Sequence, residues 1–162
     1  MNLRLPVAIG IIAFTLASCE AKKTTVGTTI VTAEALPLTG TWKLAYSKMI
    51  KNGDTSTTYP VAGKQTEMIK MFNGSHFSFF SHDLSKGADT ATAAFSAGAG
   101  TYTLTGDQYE EHLQYCSFRG WEDKHFSFTL TLQNDTLIQR GIEKIDSLHV
   151  NHEIVEAYTR VR

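Results

Sequence analysis

The sequence is short of the residues that staple, kink or charge a chain. Two of its 162 residues are cysteine and three are proline, so at most one disulfide, Cys19 with Cys116, can form. Charge of one sign is also missing: 15 Lys and Arg against 16 Asp and Glu leave a net charge of −1. No cluster of basic residues stands out, which excludes a strong electrostatic attraction to nucleic-acid phosphates. HExxH, CxxC, Gly-x-Ser-x-Gly and glycine-rich phosphate loops are all absent, and with them the short signatures of metal, redox, hydrolase and nucleotide chemistry. No apolar run reaches the roughly 20 residues of a membrane-spanning helix. No window of eleven or more residues carries a persuasive helical stripe. What is present is a chain of 162 residues with 42% apolar composition, enough for one domain with one sizeable core.

Residues 1–18 read as a processing signal. Arg4 gives a positive start, and Leu5 to Leu16 are apolar apart from breaks at Pro6, Gly10 and Thr15. About a dozen such residues suit a signal-peptide core and are too few to span a bilayer. The stretch Leu16-Ala17-Ser18-Cys19 resembles the lipobox of bacterial lipoproteins. That resemblance implies cleavage before Cys19, diacylglycerol on its sulfur, and firm attachment to a membrane through several acyl chains. The alternatives are an ordinary signal peptide with a chance cysteine, or a Cys19–Cys116 disulfide. With Cys19 lipidated, Cys116 is left as a small buried apolar side chain. Residues 19–37 are Thr-rich without periodicity and are expected to form a flexible tether ending at Pro37. Glu20 followed by Lys22 and Lys23 is an indifferent sorting cue, and the outer membrane is the favoured location.

From Leu38 onward, short segments alternate with turn signals. Strands are expected over Thr41–Ile50, Gln65–Phe72, His76–His82, Gly100–Thr105, Gln108–Phe118, Lys124–Gln133, Thr136–Ile142 and Glu153–Val161. Asn52-Gly53-Asp54, Asn73-Gly74, Gly106-Asp107, Gly120 and Asn134-Asp135 punctuate them. The clearest alternation is KHFSFTLTLQ, with Phe126, Phe128, Leu130 and Leu132 on one face and Ser127, Thr129 and Thr131 on the other. An apolar face of this extent, without a helix to cover it, is buried most economically by closing the sheet on itself. The expected fold is therefore all-β, a single antiparallel up-and-down barrel of about eight strands over residues 38–162. A two-sheet sandwich is the structural alternative.

The first strand carries a family resemblance. Leu38-Thr39-Gly40-Thr41-Trp42-Lys43-Leu44 resembles the Gly-x-Trp opening of lipocalins and related calycin barrels. The resemblance implies that Gly40 shapes a tight approach, that Trp42 plugs the closed end, and that Arg160, in the closing EAYTRVR, lies across the indole. Together with MIKMFNGSHFSFF, GAGTYTLTGDQYEEHLQY and HFSFTLTLQNDTL, the domain is similar to the lipocalin-like lipoproteins of Bacteroidetes-type bacteria. That likeness implies a fold more firmly than an activity.

A barrel of eight strands can be filled by side chains or can hold one small molecule. In QYEEHLQYCSF the phase placing Tyr109, Glu111, Leu113 and Tyr115 inside is the more apolar and is the one expected. The opposite phase would place Glu110, His112, Gln114 and Cys116 inside. A carboxylate facing such a lumen must be paired, protonated, or used to bind a cationic or hydroxyl-bearing group. Glu111 is accordingly the sharpest ligand-binding candidate, with Tyr109, Tyr115 and His76 beside it; tyrosine hydroxyls, a lysine or water could equally satisfy it. His76 heads HFSFF, where Phe77 and Phe79 point in and His76 points out, or the reverse.

Among six histidines the tightest grouping is HVNHE, with His149, His152 and Glu153. It reads as a solvated polar segment, since in a strand the two rings face opposite ways. No metal or cofactor is expected. Residues 81–100 read as a long rim loop with a short helical turn over DTATAAF, and Trp121 stands at a hairpin tip, exposed or folded back. The expected function is a lipid-anchored envelope protein holding a small apolar or amphipathic molecule, monomeric, with no nucleic-acid partner and no catalytic residue. The alternatives are an interaction or inhibitor module with a side-chain-filled barrel, and an enzyme using the lumen.

Overall fold

The computed structural model describes residues 37–162; residues 1–36, which hold the expected leader, Cys19 and all of the expected tether but Pro37, lie outside the described residues. In chain order the strands are β1 (Gly40–Lys51), β2 (Asp54–Tyr59), β3 (Thr66–Phe72), β4 (His76–Asp83), β5 (Phe95–Thr105), β6 (Gln108–Cys116), β7 (Lys124–Gln133), β8 (Thr136–Ile145) and β9 (Val150–Arg160). A single 3₁₀ turn, Asp146–Leu148, separates the last two. Every neighbouring pair is antiparallel, and β9 pairs back onto β1 from Trp42↔Arg160 to Ile50↔Glu153. The result is a closed barrel of eight strands with β2 as an extra one, the architecture that the lipocalin resemblance implies and not a sandwich.

The turns explain the meander. Asn52, Gly53, Gly106 and Asn134 all take positive φ at their hairpin bends, a conformation that Gly and Asn adopt at little strain. Along β7, Phe126, Phe128 and Leu130 are buried while Ser127, Thr129 and Thr131 are exposed, so the alternation read in the sequence is the barrel wall seen edge-on.

Three features differ from the sequence reading. Strand β2, DTSTTY, is almost wholly exposed, and only Tyr59 at its end packs against the core. It is hydrogen-bonded to the second half of β1, whose first half pairs with β3. The loop expected over residues 81–100 is shorter, because β4 runs to Asp83 and β5 begins at Phe95. The small residues there are demanded by packing: a Cβ on Gly98 would fall 2.3 Å from the Phe79 ring. The expected helical turn over residues 89–95 is reduced to hydrogen-bonded turns, with the Ala88 amide on the Ser85 carbonyl at 3.1 Å and the Thr92 amide on the Asp89 carbonyl at 3.2 Å, and Phe95 already belongs to β5. Asp83 organises them by accepting from the Gly87 amide at 2.9 Å, the Ala94 amide at 3.0 Å and the Ser85 hydroxyl.

One end of the barrel is plugged. Trp42 is fully buried, its Nε1 donating to the Leu38 carbonyl at 2.8 Å. The Arg160 guanidinium lies 4.1 Å from the indole centroid and donates to the carbonyls of Thr39 and Pro37 at 2.9 and 2.6 Å. Gly40 leaves room for it, since a Cβ there would sit 2.9 Å from the Arg160 Nη1. Leu44, Phe72, Phe128, Leu130 and Leu137 complete the packed interior.

Candidate functional site

Beyond that packed end the interior turns polar. Lys70, on β3 between Met68 and Phe72, shares the inward phase of the apolar residues and is 3% exposed. Its Nζ donates to Oε2 of Glu111 and to Oε1 of Gln139, each at 3.0 Å. The rings of Phe77, Tyr109 and Phe72 surround it, with centroids 4.9, 5.2 and 5.5 Å away. A buried ammonium is held by paired carboxylate, amide and aromatic faces together. Tyr109 closes the arrangement by donating its hydroxyl to Oε2 of Glu111 at 2.8 Å.

Two more carboxylates face the same interior. Glu156 on β9 accepts the Tyr158 hydroxyl at 2.5 Å, and Ser47 is its cross-strand neighbour on β1. Glu143 on β8 lies 2.9 Å from Nε2 of His152. Burial pushes the Glu143 carboxyl up to about 8, helped by the negative charges of Glu156 and Glu111 and opposed by Lys70. Burial also raises Glu156 and lowers His152. Both shifts favour the uncharged forms, so at neutral pH the Glu143–His152 contact is a hydrogen bond between a carboxylic acid and a neutral imidazole. Every deeply buried side-chain N and O among the described residues has a hydrogen-bond partner.

These groups line a cavity of about 200 Å³. Lys70, Glu111, Gln139, Glu143, Glu156 and Tyr158 form its polar wall, and Met68, Phe79, Leu113, Phe126 and Ile154 its apolar one. Phe118, 55% exposed, and the half-buried Trp121 stand at the rim, where Trp121 packs on Phe126 with centroids 5.9 Å apart. Trp121 thus folds back onto the barrel. An apolar cavity of about 150 Å³ holds a benzene, so this one admits a molecule of roughly six to ten non-hydrogen atoms.

The candidates from the sequence divide. Glu111 and Tyr109 point inward and touch each other. Tyr115 does not join them: it is 70% exposed on the outer face. The cause is a bulge in β6, where Ala99 pairs with Tyr115 but Gly100 pairs with Leu113. Gln114 is the extra residue, so the alternation reverses there, turning Tyr115 out and Cys116 in. Gly100 is what allows the bulge, because a Cβ there would lie 1.8 Å from the His112 carbonyl oxygen. His76 is also exposed and outside the lumen, its Nδ1 2.8 Å from the Ser75 hydroxyl; with Tyr115 it borders an open groove on the outer surface. Of the HVNHE group, His149 sits exposed in the turn after the 3₁₀ segment while His152 enters β9 and reaches Glu143.

Lys70, Gln139, Glu143 and Glu156 were not singled out by the sequence reading. The available signal was phase: each occupies the side of its strand that carries the buried Phe72, Leu137, Ile145 or Tyr158. In comparisons with known proteins, no protein-family model and no curated protein matches this chain.

The Glu143 carboxyl makes stability depend on pH. The unfolded chain releases this proton near pH 4.5 and the folded chain near pH 8, so its contribution is complete below the lower value and disappears as pH rises through the upper one. Between them the stability falls by up to about 1.4 kcal/mol per pH unit. In Glu143→Gln this slope disappears: urea midpoints of variant and parent agree near about pH 5 and the variant leads near about pH 8.5. Parallel curves at all pH would contradict the assignment.

Proposed function

We propose that this protein is a lipid-anchored binding protein of the cell envelope, of the lipocalin-like kind found in Bacteroidetes-type bacteria, whose barrel holds one small amphipathic molecule. The observation carrying the binding reading is the 200 Å³ cavity, lined by both hydrogen-bonding and apolar side chains. Small-molecule sites have this composition, few polar groups set in an apolar lining. The anchor rests on the sequence alone, on the apolar run ending in Leu16-Ala17-Ser18-Cys19. Outer-membrane attachment, a monomeric state and the lack of a turnover step belong to the same reading. A second reading, docking of a protein, draws support from the outer surface, where Phe95, Tyr115, Phe118 and Phe80 are 69%, 70%, 55% and 40% exposed.

One experiment addresses anchor and ligand together. Native mass spectrometry of protein extracted from host membranes in detergent is expected to show a diacylglyceryl mass on Cys19 and a non-covalent 1:1 adduct lost on denaturation. In Cys19→Ser the lipid mass disappears and the adduct stays. Protein that carries no adduct and takes up no small aromatic probe overturns the binding reading; an unmodified Cys19 overturns the anchor.

A further inference from the structure

We propose that the cavity selects an organic cation: a protonated amine on a compact aromatic or aliphatic body, with its ammonium seated between Glu143 and Glu156. This rests on the binding reading above and specifies its ligand.

The argument starts from an imbalance of charge around an enclosed volume. Three carboxylates, Glu111, Glu143 and Glu156, face the cavity with one lysine. Lys70 is committed to Glu111 and Gln139, both at 3.0 Å, inside its ring of aromatic side chains. Among the described residues no lysine or arginine forms an ion pair with Glu143 or Glu156; Glu143 has only His152. The site offsets its excess acid by retaining protons, in line with the burial that raises the Glu143 and Glu156 carboxyls. An ammonium between them supplies the missing positive charge and donates to both. The apolar part of the lining suits the rest of such a molecule, since Phe79, Phe126 and Trp121 offer aromatic surface to a cation and apolar area to its body.

Other ligand classes fit less well. An anion would have to approach Lys70 past two carboxylates and displace Glu111 from it. A metal ion lacks a cage, because among the described residues no three His, Cys, Asp or Glu side chains are grouped to hold one. A neutral molecule fills the volume and gives Glu143 and Glu156 no cationic partner.

Cation binding also has a proton signature. Seating an ammonium favours the ionised form of Glu143, so binding near neutral pH releases a proton and strengthens as pH rises toward 8. The groups that face Glu143 and set this behaviour are Glu156, Tyr158 and His152 of β9, Glu111 of β6 and Lys70 of β3.

The test compares three probes of nearly equal shape, benzylamine, benzyl alcohol and benzoate, by calorimetry and Trp121 fluorescence on the whole soluble domain. Benzylamine is expected to bind at least about tenfold more tightly than benzyl alcohol, with benzoate weakest. Its affinity rises between about pH 6 and 8, with buffer-dependent heats that report proton release. In Glu143→Gln/Glu156→Gln, folded by circular dichroism, the advantage of benzylamine over benzyl alcohol is lost. Equal affinity of the amine and the alcohol overturns the cation proposal and leaves the binding cavity standing. Benzoate binding best overturns it in favour of Lys70 as an anion site. Binding of none of the three overturns both readings.

Discussion

Lys70→Met lowers the unfolding free energy by about 3–5 kcal/mol, read as a drop in the urea midpoint at constant slope. Methionine fills the stem of the lysine, so little packing is lost. What is lost is the one ammonium that, among the described residues, lines the cavity with Glu111, Glu143 and Glu156. The Lys70 and Glu111 side chains are 4% and 9% exposed, too little for water to screen the orphaned carboxylate. Removing one partner of a buried pair is far more damaging than removing both. Lys70→Met/Glu111→Gln is accordingly expected to recover most of the loss, and the double-mutant cycle measures the coupling directly. A loss below about 1 kcal/mol for the single variant would show that the pair is not maintained as described.

Trp42→Ala is the second large effect, also about 3–5 kcal/mol. The indole is fully buried, and its removal opens a cavity that the rigid ends of β1 and β9 cannot collapse into. The Arg160 guanidinium, 4.1 Å from the ring, loses its cation–π partner. Against a total stability of roughly 5–15 kcal/mol for a domain of this size, such a loss takes at least about a fifth and up to the whole of it. Thermal unfolding followed by circular dichroism measures it, with Trp121→Phe as the comparison, since Trp121 is only half-buried at the opposite rim. If the two substitutions shift the midpoint equally, Trp42 does not act as the plug of the barrel.

The barrel was readable where one strand face is wet and the other dry. Strand β7 displays that contrast in every residue from His125 to Thr131, and the bends at Gly106 and Asn134 mark their hairpins by chemistry alone. Legibility failed where structure depends on partners distant in sequence. Strand β2 is all Thr, Ser, Asp and Tyr and forms because β1 outruns β3 and offers it unpaired backbone. The first half of β5 looked like loop because its small side chains carry no pattern, yet Gly98 is the space into which Phe79 packs. At Gln114 a single extra residue reverses which side chains face the lumen, and periodicity within β6 cannot reveal a bulge set by pairing with β5. Glu111 was accessible to sequence reasoning as a carboxylate among tyrosines. Lys70 and Glu156 were hidden because a charged residue in apolar phase looks like an interruption of a strand rather than half of a network.

Arg160 holds the carbonyls of Pro37 and Thr39 at the plugged end, whereas Phe118 and Trp121 border the cavity at the other. The polypeptide thus joins the barrel at its floor and the cavity mouth is at its roof, roughly 25 Å away for tilted strands of this length. Cys19 and Pro37 are 18 residues apart, and an extended chain of that length reaches about 60 Å. Under the proposed anchoring, the reach of the connecting segment therefore exceeds the height of the barrel, and the mouth can be turned toward the bilayer or away from it.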